Sequence, residues 1–263
     1  MDDPFSNPRF PKTAKYNPDW ILASASGGAN PLWLAEWLAE DMRLEPGMRV
    51  LDLGCGRAMS SIFLSREYGV QVWAADLWFD PRENQHRIED AGLNGQVFPL
   101  QADARSLPFE ENFFDAIVSI DSFVYYGTDD FYLSYIGRFL RPQGRIGIAG
   151  SGLIADQAEG ATPLTEDIPL CLHSPQWWRS HWSRSRVVEV ELSDAMEEGW
   201  QLWRDWMKLI APDNESEIQT LERDAGRTLG YVRTIGRRRT DAPLLDPEFR
   251  IPAQYTRKPL LRE

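Results

Sequence analysis

The run Val50-Leu51-Asp52-Leu53-Gly54-Cys55-Gly56-Arg57-Ala58 joins a short apolar segment to a glycine turn, and residues 57–67 then follow with helical spacing. An apolar run without alternation fits a strand buried on both faces, as in a parallel sheet covered by helices. Glycines at the turn let the backbone approach a ligand closely, with a helix N-terminus behind it. The same rhythm recurs. Val70 to Ala75 reads as a strand ending at Asp76, and Asp80-Pro81 caps a helix running to about Ala91. Residues 96–100 lead to Asp103, and Phe114 to Ile120 is a fourth strand headed by Asp115. A helix over 129–140 stops at Pro142 and Gly144, before a strand from Arg145 to Ala149. Strands alternating with helices predict an α/β chain, because parallel neighbours need a crossover connection.

The flanks are less regular. Residues 1–30 carry Pro4, Pro8, Pro11 and Pro18 and read as an irregular arm or lid. Asn30-Pro31 starts a helix over 31–43. The core is expected over 31–195, with 150–173 as a glycine- and proline-rich mobile loop. Ser174-Pro175 caps a short helix, and Val187 to Leu192 is a strand. Two helices, about 195–210 and 214–238, make an insertion expected over the acceptor site (196–248). A final strand is expected at Pro252 to Lys258, within 249–263.

The chain has 263 residues, one large domain or a domain with insertions at about 150 residues each. Its formal charge of −12 argues against a nucleic-acid surface. Two cysteines, Cys55 and Cys171, build neither a disulfide framework nor a four-thiolate zinc site. No run of about 18 apolar residues suggests a membrane span, and Met1-Asp2-Asp3-Pro4 lacks a secretory pattern. A cytoplasmic protein without a membrane or nucleic-acid partner, monomer or homodimer, is the expectation.

Asp52 stands two residues before Gly54. Asp76 lies 22 residues beyond Gly54, the spacing of a carboxylate that grips ribose hydroxyls. Asp103 ends the third strand. A dinucleotide site wants three glycines to admit a pyrophosphate, whereas this turn pairs two glycines with a leading acid.

These residues, together with Ala102-Asp103-Ala104, Leu107-Pro108-Phe109, Phe114-Asp115 and Leu140-Arg141-Pro142-Gln143-Gly144, resemble the class I S-adenosylmethionine-dependent methyltransferases of the small-molecule type. The resemblance covers roughly 48–150. The family has further glycines where this chain has Ala58 and Gln143. It implies a Rossmann-like, seven-stranded, mostly parallel sheet with helices on both faces and a helical insertion between the last two strands. It also implies S-adenosylmethionine as cofactor and S-adenosylhomocysteine as product (EC 2.1.1.-). By resemblance, Gly54, Cys55 and Gly56 meet the methionyl part, which Asp52 helps to orient. Asp76 binds the ribose, Leu77 flanks the adenine, and Asp103 with Ala104 meets the adenine edge. Ser119 and Ile120 lie near the reactive methyl.

The acceptor would sit beyond the carboxyl ends of the strands. Six of the 11 tryptophans fall between 177 and 206, and Tyr125-Tyr126 follows the fourth strand. An aromatic roof suits an amine, an aromatic or a hydrophobic small molecule, although Trp203 and Trp206 stand at core spacing on a helix. Asp121, His173 and Tyr126 are the candidate catalytic residues, His173 through its titration near neutral pH. His181 is a weaker candidate. Tyr16 is placed to close over the cofactor, and Arg237-Arg238-Arg239 reads as a solvated helix end. Asn-Pro-Pro-Tyr, which marks nucleobase amino methylation, is replaced by Ile120-Asp121-Ser122-Phe123. The competing reading is an S-adenosylmethionine-binding protein with non-methylating chemistry or a regulatory role.

Overall fold

The computed structural model describes residues 7–25, 28–155 and 172–244. In chain order these form α1 (Pro18–Ala23), α2 (Pro31–Met42), β1 (Arg49–Leu53), α3 (Met59–Tyr68), β2 (Gln71–Asp76), α4 (Pro81–Asp90), β3 (Val97–Gln101) and β4 (Phe114–Ile120). Then come α5 (Tyr132–Ile136), β5 (Leu140–Leu153), α6 (Pro175–Ser185), β6 (Val188–Ala195), α7 (Gly199–Ile210), α8 (Glu215–Asp224) and β7 (Leu229–Arg238). Four helices start alike. Asn17, Asn30, Asp80 and Ser174 each accept from first-turn N–H groups, and a proline follows at the first helical position.

The seven strands form one sheet in the order β3-β2-β1-β4-β5-β7-β6. Its first five strands are parallel, and β7 runs antiparallel between β5 and β6. Successive residues on β1 and β4 feed opposite faces. Val50, Ala116 and Val118 enter a core with α2, α3, α7 and α8, whereas Leu51, Leu53 and Ile117 pack with α5 and α6. Helices therefore cover both faces, as expected, and α7 and α8 form an insertion between β6 and β7, the last two strands among the described residues. No helix among the described residues is long and apolar enough to cross a membrane.

Three expectations change. The seventh strand is 229–238, where the sequence predicts a helix reaching Arg238. Ala225 and Gly226, with φ of 50° and 74°, end α8 first. The final strand expected at 252–258 lies outside the described residues. The arm is not an irregular tail. Phe10 and Ile21 are fully buried, and the Glu36 carboxylate of α2 accepts from Lys12 N, Thr13 N and Thr13 Oγ1 at 2.8–2.9 Å. Of the loop expected over 150–173, residues 150–153 continue β5, and 156–171 lie outside the described residues.

Candidate active site

β1 runs into the glycine turn. Gly54 and Gly56 have φ of 76° and 54°, in the left-handed region that glycine enters without steric cost. Gly54 N and Cys55 N both donate to the Ala75 carbonyl of β2, at 2.8 and 3.1 Å. Beneath the turn, Asp52 is fully buried, and its Oδ2 accepts from Ser60 Oγ and Ser61 Oγ, each at 2.6 Å. Its Oδ1 is buried without a hydrogen-bond partner among the described residues. Burial raises the Asp52 carboxyl to about 6, with the two serine bonds opposing. Asp52 thus pins the first turn of α3 to β1 and fixes the bend between them. The Cys55 thiol is buried and pushed up by desolvation, so it is no nucleophile near neutral pH.

Two carboxylates stand at the ends of the neighbouring strands. Asp76 Oδ2 accepts from Gly56 N at 2.8 Å, and its Oδ1 accepts from Trp78 N and Phe79 N at 2.8 and 3.2 Å. Asp103 receives the Arg105 guanidinium on both oxygens, at 3.0 and 2.7 Å, which holds its carboxyl below the usual range.

At the end of β4, Asp121 takes φ of 51°. Its Oδ2 accepts from Ala29 N at 2.7 Å and its Oδ1 from Ser151 N at 2.9 Å, so the carboxylate joins the approach to α2 with β5. Burial raises its carboxyl, and the two backbone bonds oppose the rise. A Cβ at Gly28 would lie 2.1 Å from Asp121 Oδ2, so only glycine fits there.

Together these groups surround a cleft of about 830 Å³ beyond the carboxyl ends of the strands. Of the residues read from the sequence, Gly54, Cys55, Gly56, Asp76, Leu77, Asp103, Ala104, Ile120, Asp121 and Tyr126 line it. Asp52 and Ser119 are buried under its floor, where Ser119 Oγ donates to the Leu53 carbonyl at 2.9 Å. His173 is not brought to the cleft. Its ring stacks on Trp177 at 3.6 Å. His181 is buried, with Nε2 3.3 Å from the Gly127 carbonyl, and desolvation lowers its pKa.

The aromatic wall also differs from the one expected. None of the tryptophans between 177 and 206 lines the cleft. Trp178 and Trp182 pack on Phe123, and Trp203 and Trp206 pack on Tyr231 and Trp33. Trp78 and Tyr125, 77% and 62% exposed with ring centroids 6.2 Å apart, face each other at its mouth. Tyr125 was expected there, whereas Trp78, Ser122 and Tyr132 were missed; Ser122 and Tyr132 fall within a dozen residues of the end of β4, where a cleft of this topology opens. Tyr16 does not close over the cleft. It packs on Trp20 and Phe63, and its hydroxyl donates to Glu67 at 3.3 Å. The helix α7 packs on β7 and α2, α8 packs on α7, and neither lines the cleft. The run Arg237 to Arg239 closes a strand rather than a helix: Arg237 pairs with Glu189 and Glu191 and Arg239 with Asp241, while Arg238 is buried and donates to Asn112 and the Leu140 carbonyl. Among the described residues no group of His, Cys, Asp and Glu is placed to hold a metal ion.

Residues 50–144 match the family model of the methyltransferase domain. The turn, the strand-end acids and the sheet order are what the resemblance to class I S-adenosylmethionine-dependent methyltransferases implies for this segment. The chain is 33% identical over 134 residues to the methyltransferase GfsG of Streptomyces halstedii, covering 51% of this chain and 48% of that protein. It is 34% identical over 137 residues to the ubiquinone/menaquinone biosynthesis C-methyltransferase UbiE of Vibrio campbellii, covering 51% of each. The chain thus spans about half the length of either relative. Among solved structures, a putative sarcosine dimethylglycine methyltransferase from Galdieria sulphuraria shares the fold, with a TM-score of 0.63 and 21% identity. That likeness covers 80% of this chain and 85% of the neighbour.

Proposed function

We propose that this chain binds S-adenosylmethionine in the cleft and transfers its methyl group to a small-molecule acceptor. The observation that carries this reading is the glycine turn joined through Gly56 N to Asp76, with Asp103 ending the next lobe of the same cleft. The lining suits the cofactor. Asp76 accepts three N–H bonds and keeps lone-pair capacity for ribose hydroxyls. Asp52 Oδ1 is a buried acceptor below the turn, and a carboxylate there favours a nearby ammonium. Leu77, 46% exposed, offers an apolar face for the adenine. When bound, the cofactor supplies an electrophilic methyl on a sulfonium. The protein then mainly positions the acceptor and excludes water.

Trp78 and Tyr125 give the acceptor an aromatic wall, which suits an amine, an aromatic or a hydrophobic molecule. Both oxygens of Asp121 already hold backbone N–H groups, so its first role is to fix the wall of the cleft. An acceptor arriving with a free lone pair needs no general base. The test is a thermal-shift titration with S-adenosylmethionine, S-adenosylhomocysteine and NAD. The first two raise the melting temperature and NAD does not, because only a ligand of the native state stabilises it. A shift with NAD alone refutes the reading. Methyl transfer is then checked with labelled cofactor over amine, phenol and thiol acceptors; binding of both nucleosides without transfer to any of them favours the non-methylating alternative.

A further inference from the structure

Three hydroxyls gather on one carbonyl at the floor of the cleft. Ser119 Oγ, Ser122 Oγ and the Tyr126 hydroxyl lie 2.9, 2.9 and 3.2 Å from the Leu53 oxygen. They lie 2.8, 3.0 and 3.1 Å from one another. A carbonyl oxygen has two lone pairs, so at most two of the three protons reach it, and the remainder go to a neighbouring hydroxyl. Every proton thus finds an acceptor inside the cluster. What the cluster can offer outward is lone pairs.

Ser122 and Tyr126 line the cleft directly against the glycine turn. A Cβ at Gly54 would stand 2.1 Å from Ser122 Oγ and 3.5 Å from the Tyr126 oxygen, so nothing separates the hydroxyls from the turn. Burial pushes the Tyr126 phenol up, which keeps its proton in place and removes it as a base near neutral pH. The ring is held by Phe123 and Tyr132, at centroid distances of 5.4 and 5.2 Å.

We propose that Ser122 and Tyr126 present an all-acceptor face to the cleft that favours a sulfonium cation over the neutral thioether formed when the methyl leaves. This rests on the cofactor assignment above and gives these hydroxyls a role within it. Oriented dipoles in a partly desolvated site act strongly on a full charge and weakly on a neutral sulfur. The face therefore distinguishes the charged cofactor from its spent form.

Calorimetric titration of the full chain with S-adenosylmethionine and, separately, S-adenosylhomocysteine tests this in wild type, Tyr126→Phe and Ser122→Ala. In each variant the affinity for S-adenosylmethionine falls about tenfold, while that for S-adenosylhomocysteine stays within about twofold. Equal weakening of both ligands means a merely structural role and overturns the proposal, as does no change in either. Circular dichroism confirms folding, and the serine variant carries the comparison if the tyrosine variant unfolds. A wild-type chain that binds neither nucleoside refutes the methyltransferase reading and this proposal with it; binding of both with an unchanged preference refutes this proposal alone.

Discussion

Gly56 N donates to Asp76 Oδ2 at 2.8 Å, so the carboxylate that ends β2 is tied to the turn that ends β1. One side chain thereby holds the turn closed and faces the cleft. In Asp76→Ala both roles go. The affinity for S-adenosylmethionine should fall by at least about tenfold, since hydrogen bonds to a charged group contribute about 1.5–3 kcal/mol. Asp76→Asn keeps an acceptor for Gly56 N and should fall between. Wild-type affinity in the alanine variant, read by calorimetry, contradicts the assignment.

The two places where the family pattern has glycine and this chain does not are both left-handed. Ala58 has φ of 60° and Gln143 has φ of 68°. A side chain there costs about 1 kcal/mol relative to glycine. Ala58→Gly should therefore raise unfolding stability by about that amount in urea titration. Gly54→Ala should do the reverse and cost more, because its Cβ would meet Ser122 Oγ at 2.1 Å.

Asp52 makes stability depend on pH. Its carboxyl moves from an ordinary 3.8 to about 6 in the folded chain, chiefly by burial. Between about pH 4 and 6 the native state binds the extra proton, so this contribution is complete below that window and is lost as pH rises through it. The loss is about 3 kcal/mol at most. Asp52→Asn should flatten the profile from pH 4 to 6, measured by denaturant midpoints. An unchanged slope would show that Asp52 ionises freely.

Trp78 separates fold from binding. It is 77% exposed, so Trp78→Ala should change stability by no more than about 0.5 kcal/mol. It should nevertheless weaken cofactor or acceptor binding several-fold, because its ring shares the cleft mouth with Tyr125. Loss of stability together with binding would place the ring in the core instead.

Glu36 holds the arm. Three donors from Lys12 and Thr13 converge on its buried carboxylate, and Glu36→Ala would leave the two backbone N–H groups without it. A cost of about 3 kcal/mol follows from removing one side of such a buried network. Limited proteolysis should then cut within residues 7–25 first.

Much of this was legible because the signals were local. The turn, Asp76 and Asp103 announce themselves by spacing along three consecutive strands, each followed by a loop that opens on the same edge of the sheet. β7 did not. From Leu229 to Gly236 every residue is buried, so the strand shows neither polar alternation nor a helical stripe, and it follows directly on α8, whose start Asn214 caps by accepting from Glu217 N. The stop was nonetheless written at Ala225-Gly226. Asn17-Pro18 repeats the cap-and-proline start of three other helices, yet it sits among prolines that suggested an unstructured arm. The tryptophans of 177–206 misled for a different reason: rings bury large areas wherever the core admits them. Their density marks packing, whereas Trp78 owes its place at the cleft to following Asp76 by two residues.

β7 lies between β5 and β6, and among the described residues β6 is bonded to no other strand. During synthesis β6 therefore emerges with no edge ready to receive it, and it stays unzipped until residues 229–238 have left the ribosome and threaded antiparallel into the gap. Pairs such as Arg145 with Arg237 close a long stretch of chain, a slow event compared with local helix formation. A nascent or clipped chain ending before Leu229 would carry two bare sheet margins, along β5 and β6, and would be a natural client for chaperones.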